Sequence, residues 1–102
     1  MLMVYIACRN EIEAKYIATH LLETKLIACA NLFPSTSLYW WKEKITEESE
    51  VVIIAKTLKK HFEVIRKEVL KTHSYDVPCV VAYEAKKVHK EYRDWVERTV
   101  HK

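Results

Sequence analysis

The sequence contains no glycine among its 102 residues. It therefore has no glycine-rich loop that could wrap a phosphate, which excludes the Walker A loop and the dinucleotide-binding fingerprint, and it has no glycine-flanked nucleophile elbow. These absences argue against most classes of nucleotide-dependent enzyme. Turns must be formed by Asn, Asp, Ser and Pro, or by other residues with unusual backbone angles.

Cysteines and long apolar segments are also few. The three cysteines are odd in number and widely spaced, so they predict reduced thiols and not a disulfide framework. No apolar run approaches the roughly 20 residues that a membrane-spanning helix needs. The apolar N-terminus lacks the basic residues of a signal peptide and leads into a charged helix. We therefore expect a cytoplasmic protein that does not insert into a membrane.

The charge is mixed, whereas the apolar content is high. Lys and Arg number 17 against 14 Asp and Glu, and the two signs alternate along the helices. This pattern predicts a solvated surface and no nucleic-acid partner. Half of the residues are hydrophobic, including three Trp and six Tyr. A single domain over residues 1–102 cannot readily bury so much apolar surface as a monomer, so we expect self-association.

The hydrophobic pattern predicts an α+β fold. Strands are expected over residues 1–8, 27–41 (interrupted at Pro34, which belongs at a bulge or an edge), 44–57 and 77–83. Helices are expected over 11–24, with Asn10 as the N-cap and Glu13 as its capping-box partner, from 58 after a Thr57 cap, and over 88–100. The order β-α-β-β-α-β is that of a ferredoxin-like antiparallel sheet, here with an extra C-terminal helix. The second sheet face lacks a cover in a monomer. The long hairpin is expected to reach a neighbouring copy through Tyr39, Trp40 and Trp41.

Four short motifs, taken in order, resemble the signatures of a known family. They are Leu26–Asn31, Tyr39–Trp41, Ala55–Thr57 and His73–Pro78. Their order and spacing resemble those of the CutA family of divalent-cation tolerance proteins, and the resemblance covers essentially the whole chain. It implies a homotrimer similar to PII signalling proteins, and a link to tolerance of copper and other divalent metals. It implies no reaction, so we expect no enzyme activity.

Three positions depart from the family pattern. Glu43 replaces the usual glycine of the turn after the Trp pair, and Ser74 replaces the usual proline after His73. In some relatives a cysteine of the first strand is implicated in copper binding, but it aligns with Ile6. Cys8 lies two residues later on the same strand face, so a copper role for it is not a direct transfer.

Cys8, Cys29 and His73 are the candidate metal ligands. Thiolate and imidazole suit copper or zinc, although no CxxC or HxxxH spacing is present. No cofactor is expected to be obligatory, and copper or another divalent cation is the candidate ion. Arg9 is expected to lower the pKa of the Cys8 thiol. The alternatives are that the cysteines pack as small apolar residues and that His73 complements the dipole of the helix it ends.

Asn31, Lys56, Thr57 and Tyr75 form a second candidate site. The resemblance suggests that such residues cluster at a cleft between subunits. Lys56 could hold a small anionic ligand there, beside a helix N-terminus at Thr57. The alternative is that Lys56 pairs with a carboxylate and Tyr75 packs in an interface.

The other histidines are expected to be solvated helix residues: His20, His61, His89 and His101.

Three functions remain open at this stage. The first is a homotrimeric metal-response protein that binds copper or similar ions weakly. The second is a PII-like signalling or scaffold trimer with an anionic ligand in its intersubunit cleft. The third is a structural trimer that serves a membrane or signalling partner.

Overall fold

A computed structural model describes residues 1–100 as a four-stranded antiparallel sheet with helices. The elements, in chain order, are β1 (Leu2–Cys8), α1 (Glu11–Glu23), β2 (Cys29–Trp41), β3 (Lys44–Thr57), a 3-10 turn (Lys59–His61), α2 (Phe62–Thr72), β4 (Val80–Glu84) and α3 (Lys90–Thr99). The strand order is β2-β3-β1-β4. The predicted ferredoxin-like fold with an extra C-terminal helix is confirmed. Within these residues, no helix is long and apolar enough to cross a membrane.

One face of the sheet forms the core with α1 and α2. Alternate residues of β1 are buried against the helices, because side chains of a strand point to opposite faces in turn. The core cluster includes Leu2, Val4, Ile6, Cys8, Ala14, Ile17, Leu21, Ile53, Ala55, Ile65 and Val69. Cys8, the last residue of β1, thus lies in the core beside the start of α1 and the end of α2.

The other face, which we call the open face, carries Met3, Tyr5, Phe33, Ile54, Val81 and Tyr83. In the single chain Tyr83 is 61% exposed and Phe33 is 43% exposed. Helix α3 covers only one corner, where Val96 and Val100 pack with Ala28. The open face therefore leaves large apolar side chains in contact with solvent.

The β2–β3 hairpin extends well beyond the rest of the sheet. The two strands pair from Cys29–Lys56 to Trp41–Lys44, whereas β1 pairs with β3 only from Val51 onward. Residues 35–50 therefore form a two-stranded arm, and the chain measures 45 × 26 × 21 Å. The expectation that Pro34 interrupts β2 is wrong: it is paired opposite Val51. Its expected place at a bulge or an edge is confirmed, since β2 is an edge strand, where a missing N–H is tolerated.

The tip of the arm is a tight turn without glycine. Lys42 and Glu43 have φ angles of 49° and 64°. Two consecutive residues in the left-handed region are typical of a type I′ hairpin turn, which usually contains Asn-Gly. Without glycine, the turn therefore holds two other residues in unusual backbone geometry.

The helix termini are predicted in part. Asn10 caps α1 as expected, because its Oδ1 accepts the N–H of Glu13 at 2.8 Å. The predicted Thr57 cap is wrong: α2 begins after His61, and the Thr57 hydroxyl donates to the carbonyl of Leu26 at 2.6 Å. The fourth strand begins at Val80, after Pro78, and not at residue 77.

The histidines are less uniform than predicted. His61 is buried, with 8% of its surface exposed, because it ends the 3-10 turn against α2. His20 bonds to Glu68 at 2.8 Å, and His89 is exposed on the surface. His101 lies outside the described residues.

Candidate metal centre

Cys8, Glu13 and His73 converge at one edge of the core. One possible donor atom from each lies within 4.8 Å of the other two. Cys8 ends β1, Glu13 lies in the first turn of α1, and His73 is the C-cap of α2. The fold therefore brings together sulfur, oxygen and nitrogen donors from three elements. Two of the three predicted ligands, Cys8 and His73, belong to this group.

The His73 side chain is fully buried and both of its ring nitrogens are engaged. Nδ1 accepts the backbone N–H of Tyr75 at 3.1 Å, and Nε2 lies 2.7 Å from the carbonyl oxygen of Ala7. Because an N–H can only donate and a carbonyl can only accept, the ring is neutral with its proton on Nε2. Nε2 also lies 3.9 Å from Glu13 Oε1.

Glu13 is fixed by two backbone N–H groups. Its Oε1 accepts from Arg9 at 2.8 Å and its Oε2 accepts from Ser74 at 2.9 Å. Burial opposes ionisation, but the hydrogen bonds from Arg9 and Ser74 outweigh it and lower the pKa of Glu13. Glu13 is therefore a preformed carboxylate, and it anchors the loop after α2. Ser74, in place of the family's proline, supplies one of these N–H donors.

The Cys8 thiol is protonated at neutral pH. Burial, followed by the charges of Glu13 and Glu50, raises the pKa of Cys8 to about 12. The expectation that Arg9 lowers this pKa is wrong: Arg9 is exposed to solvent, and burial and the charges of Glu13 and Glu50 raise the pKa of Cys8. A metal ion would have to displace this proton, since the thiolate is the ligand.

This set of donors suits a borderline or soft cation. Thiolate, imidazole and carboxylate together are ligands for zinc and copper. A tetrahedral ion with bonds of about 2.0–2.3 Å holds its donors roughly 3.3–3.8 Å apart, so binding an ion would draw these side chains together by up to about 1 Å. Coordination through Nε2 would also move the ring proton to Nδ1, where it faces the Tyr75 N–H.

Cys29, the third predicted ligand, lies elsewhere. It opens β2 opposite Lys56, which in turn is opposite Met3 on β1. Met3 is five positions from Cys8, which corresponds to roughly 17 Å along the strand. Within one chain, the structure does not bring Cys29 to the centre formed by Cys8 and His73. Residue type alone does not show this separation, because two residues on different strands of one sheet can lie at opposite ends of it.

The predicted ligand cleft is divided between the two ends of the sheet. Asn31 and Lys56 meet, because the Lys56 ammonium donates to Asn31 Oδ1. Thr57 is buried next to them. Tyr75 lies at the other end, where its hydroxyl donates to Glu50 Oε2 at 2.7 Å. These residues form one site only if different copies of the chain contribute them.

A cavity of about 630 Å³ opens beside Tyr75 on the open-face side. Aromatic and charged side chains line it, namely Tyr5, Tyr39, Trp41, Tyr75, Arg9, Glu48, Glu50 and Asp76. Burial, the Glu50 hydrogen bond and the charge of Glu50 raise the pKa of Tyr75. Three carboxylates line the cavity, those of Glu48, Glu50 and Asp76, against the guanidinium of Arg9. This balance of charge disfavours the binding of an anion.

The aromatic residues of the arm are split between its two faces. Tyr39 and Trp41 line the cavity, whereas Trp40 points the other way and is 72% exposed. The expectation that Tyr39, Trp40 and Trp41 contact a neighbouring copy stays a prediction. Exposed aromatic side chains of this size are typical of interfaces.

Glu13 is the site residue that the sequence analysis missed as a ligand. It is assigned there only as a capping partner of Asn10. In the structure its carboxylate turns to the N–H of Arg9 and to the α2–β4 loop. No local pattern places the start of α1 beside the end of α2, so the sequence offered no direct signal.

Comparison with known proteins identifies relatives over the whole fold. Residues 2–99 match the family model described as CutA1 divalent ion tolerance protein. The divalent-cation tolerance protein CutA of Archaeoglobus fulgidus is 42% identical over 97 residues, which cover 95% of each chain. The mouse protein CutA is 38% identical over 95 residues, covering 92% of this chain and 54% of the mouse protein.

Solved structures agree with this assignment. The Archaeoglobus fulgidus protein, described as a periplasmic divalent cation tolerance protein, superposes with a TM-score of 0.96 at 41% identity, covering 99% of this chain and 100% of that one. The PII-like protein CutA from Nostoc has a TM-score of 0.92 at 28% identity, covering 99% and 98% of the two chains. The chain belongs to the CutA1 family of divalent ion tolerance proteins.

Proposed function

We propose that this protein is a homotrimeric divalent-cation tolerance protein that binds copper or a similar ion weakly and responds to it, without being an enzyme. The observation that carries the proposal is the convergence of Cys8, Glu13 and His73 within 4.8 Å. The names of the relatives state tolerance of divalent cations and no reaction. Cys29, predicted as a third ligand, is replaced by Glu13 in this proposal.

Weak binding follows from the chemistry of the free site. An ion must displace the Cys8 proton and the hydrogen bond between His73 Nε2 and the Ala7 carbonyl. Both changes reduce the net affinity, and the proton displaced makes the affinity depend on pH. Such a site suits an ion that is bound reversibly as its concentration rises.

The same site offers a way to transmit a response. If Nε2 coordinates the ion, neutral imidazole carries its proton on Nδ1, and the Tyr75 N–H loses its acceptor. The loop from Ser74 to Asp76 would then shift. Because the Tyr75 hydroxyl is bonded to Glu50 in the neighbouring cavity, the shift would reach the open-face side of the sheet.

The proposed trimer accounts for the exposed surface. The open face and the arm carry the large apolar side chains that a single chain leaves in solvent.

We propose the cytoplasm as the location of this protein. Its three cysteines are unpaired, and reduced thiols are typical of that compartment. The alternative function, an anionic ligand in an intersubunit cleft, requires Lys56 of one copy to meet Tyr75 of another, and it stays a prediction.

Metal titration tests the proposed site. Co²⁺ is an optical probe that forms a thiolate charge-transfer band when sulfur coordinates it. We expect Co²⁺ and Cu(I) to bind saturably near one ion per chain, and Cys8→Ser or His73→Gln to weaken binding by about tenfold or more. Cys79→Ser and His89→Gln are matched controls, because both residues lie outside the centre. Equal binding by Cys8→Ser and the wild type would contradict the proposal.

A further inference from the structure

The cavity beside Tyr75 combines negative charge with aromatic walls. Its volume of about 630 Å³ lies within the usual range for sites that bind small molecules. Three carboxylates line it against one guanidinium, so negative charge is in excess. Four aromatic rings also line it, those of Tyr5, Tyr39, Trp41 and Tyr75. Carboxylates and the faces of aromatic rings both attract organic cations.

Phenol groups hold two of these carboxylates in place. The Tyr75 hydroxyl donates to Glu50 Oε2 at 2.7 Å. A hydrogen bond to Glu48 raises the pKa of Tyr39, so this hydroxyl also stays protonated. A carboxylate can accept several hydrogen bonds through its two oxygens. Glu48 and Glu50 are therefore oriented by neutral groups and can still accept donors from a ligand.

The same carboxylates are spaced along a strand and do not surround one point. Glu48 and Glu50 are two positions apart on β3, so they project from the same face roughly 7 Å apart. Among residues 1–100, the only three donors close enough together to hold a metal ion are those of Cys8, Glu13 and His73. Separate carboxylates with aromatic rings nearby fit a ligand that has separate positive charges joined by an apolar chain.

We propose that this cavity binds a small aliphatic polyamine. Two of its ammonium groups bond to Glu48 and Glu50, and the methylene groups between them pack against the rings of Tyr39 and Trp41. A chain of three or four methylene groups has a length comparable to the spacing of the two carboxylates. The ammonium groups also gain from the faces of the aromatic rings. The site shares no residue with the candidate metal centre, so either proposal can fail without the other.

The cavity does not coincide with the apolar surface that the proposed trimer covers. Phe33, Val81 and Tyr83 of the open face are not among the residues that line it. Tyr39 and Trp41, in contrast, belong to the arm that is expected to contact a neighbouring copy. A neighbour could close the cavity over a ligand or fill it, so the test uses the assembled protein.

Calorimetric titration of the metal-free, assembled protein with putrescine in an amine-free buffer tests the proposal. We expect saturable binding near one molecule per chain, about tenfold tighter than that of Mg²⁺, which carries the same charge without methylene groups. The corresponding diol, with hydroxyl groups in place of both amines, should not bind detectably. Equal affinity for Mg²⁺ and putrescine would overturn the proposal, because charge alone would then account for binding. An absence of putrescine binding would overturn it too.

Two variants of one strand separate the cavity from the general surface charge. Glu48→Gln removes a cavity carboxylate at nearly constant shape, and we expect it to weaken putrescine binding by about fivefold, since solvent partly screens this exposed group. Glu47→Gln removes the same charge at the adjacent position, where the side chain points to the opposite face. It should leave the affinity unchanged. Equal weakening by both variants, or by neither, would contradict the assignment of putrescine to the cavity.

Discussion

At the scale of single residues, charge environment separates side chains of the same type. Cys8 and Cys29 are both in or near strands of one sheet, but carboxylates face the first and an ammonium faces the second. The sequence neighbour of Cys8, Arg9, does not determine its titration, because Arg9 is exposed. Contacts from distant parts of the chain therefore determine the surroundings of both cysteines.

The pKa of Cys8 predicts that metal binding strengthens with pH. Since this pKa is about 12, the thiol is protonated throughout the neutral range, and each bound ion releases its proton. The affinity should rise by about tenfold for each pH unit between about pH 7 and pH 9. Glu13 adds no slope there, because its pKa is lowered and it is already ionised.

Chelator competition with Zn²⁺ over this range measures the slope. Cys79→Ser should keep it, and Cys8→Ser should lose it together with the affinity. A pH-independent affinity in the wild-type protein would mean that the Cys8 thiol is not a ligand.

At the scale of elements, the arm contains a turn that its sequence does not favour. Lys42 and Glu43 both have positive φ angles, which cost non-glycine residues about 1–3 kcal/mol each. Glycine relieves this cost but adds entropy to the unfolded chain. We expect Glu43→Gly to raise the free energy of unfolding by about 1 kcal/mol. Urea denaturation measures the change.

Glu47→Gly is the matched control for that variant. It places glycine in the same arm, at a strand position that pairs with Leu38. We expect it to lower stability by roughly 0.5–1 kcal/mol, because glycine weakens a regular strand. Stabilisation by both variants would show that the effect does not come from the backbone geometry of the turn.

The elements themselves were largely predictable, because their signals are local. The continuous apolar runs of β1 and β3, the helical spacing of Ala14, Ile17 and Leu21, and the Asn10 cap are each formed by residues close together in the sequence. Pro34 was misjudged, since whether a proline interrupts a strand depends on which edge of the sheet lacks a neighbour. That information is long-range, and the pattern around Pro34 does not contain it.

The candidate centre could be predicted only in part for the same reason. Ligand chemistry identified Cys8 and His73 from their residue types. The contribution of Glu13 depends on how the start of α1 packs against the end of α2, 61 positions away at its contact with Ser74. Cys29 was included because its residue type was suitable, although its position along β2 places it far from the other two.

At the scale of the whole molecule, two exposed apolar regions lead to different expectations. The open face continues the sheet and carries Phe33, Val81 and Tyr83, whereas Ile12 and Tyr16 lie on the outer side of α1. A sheet can bury its second face only against another layer. The chain supplies α3 for one corner alone, so copies of the chain are expected to cover the rest.

Substitutions on these two surfaces distinguish an interface from ordinary exposed residues. We expect the wild-type protein to have a light-scattering mass near three chains, and Tyr83→Arg combined with Phe33→Asp to reduce it toward one chain, because charges cannot be buried unpaired. Ile12→Lys changes a residue that is 81% exposed, more than Tyr83 at 61%, and should leave the mass unchanged. Since both variants replace exposed apolar side chains with charges, a general loss of solubility or stability would affect them alike. Dissociation by Ile12→Lys would mean that the interface lies elsewhere. A monomeric wild-type protein at micromolar concentration would mean that there is no interface, and the exposed aromatic arm would then lack an explanation.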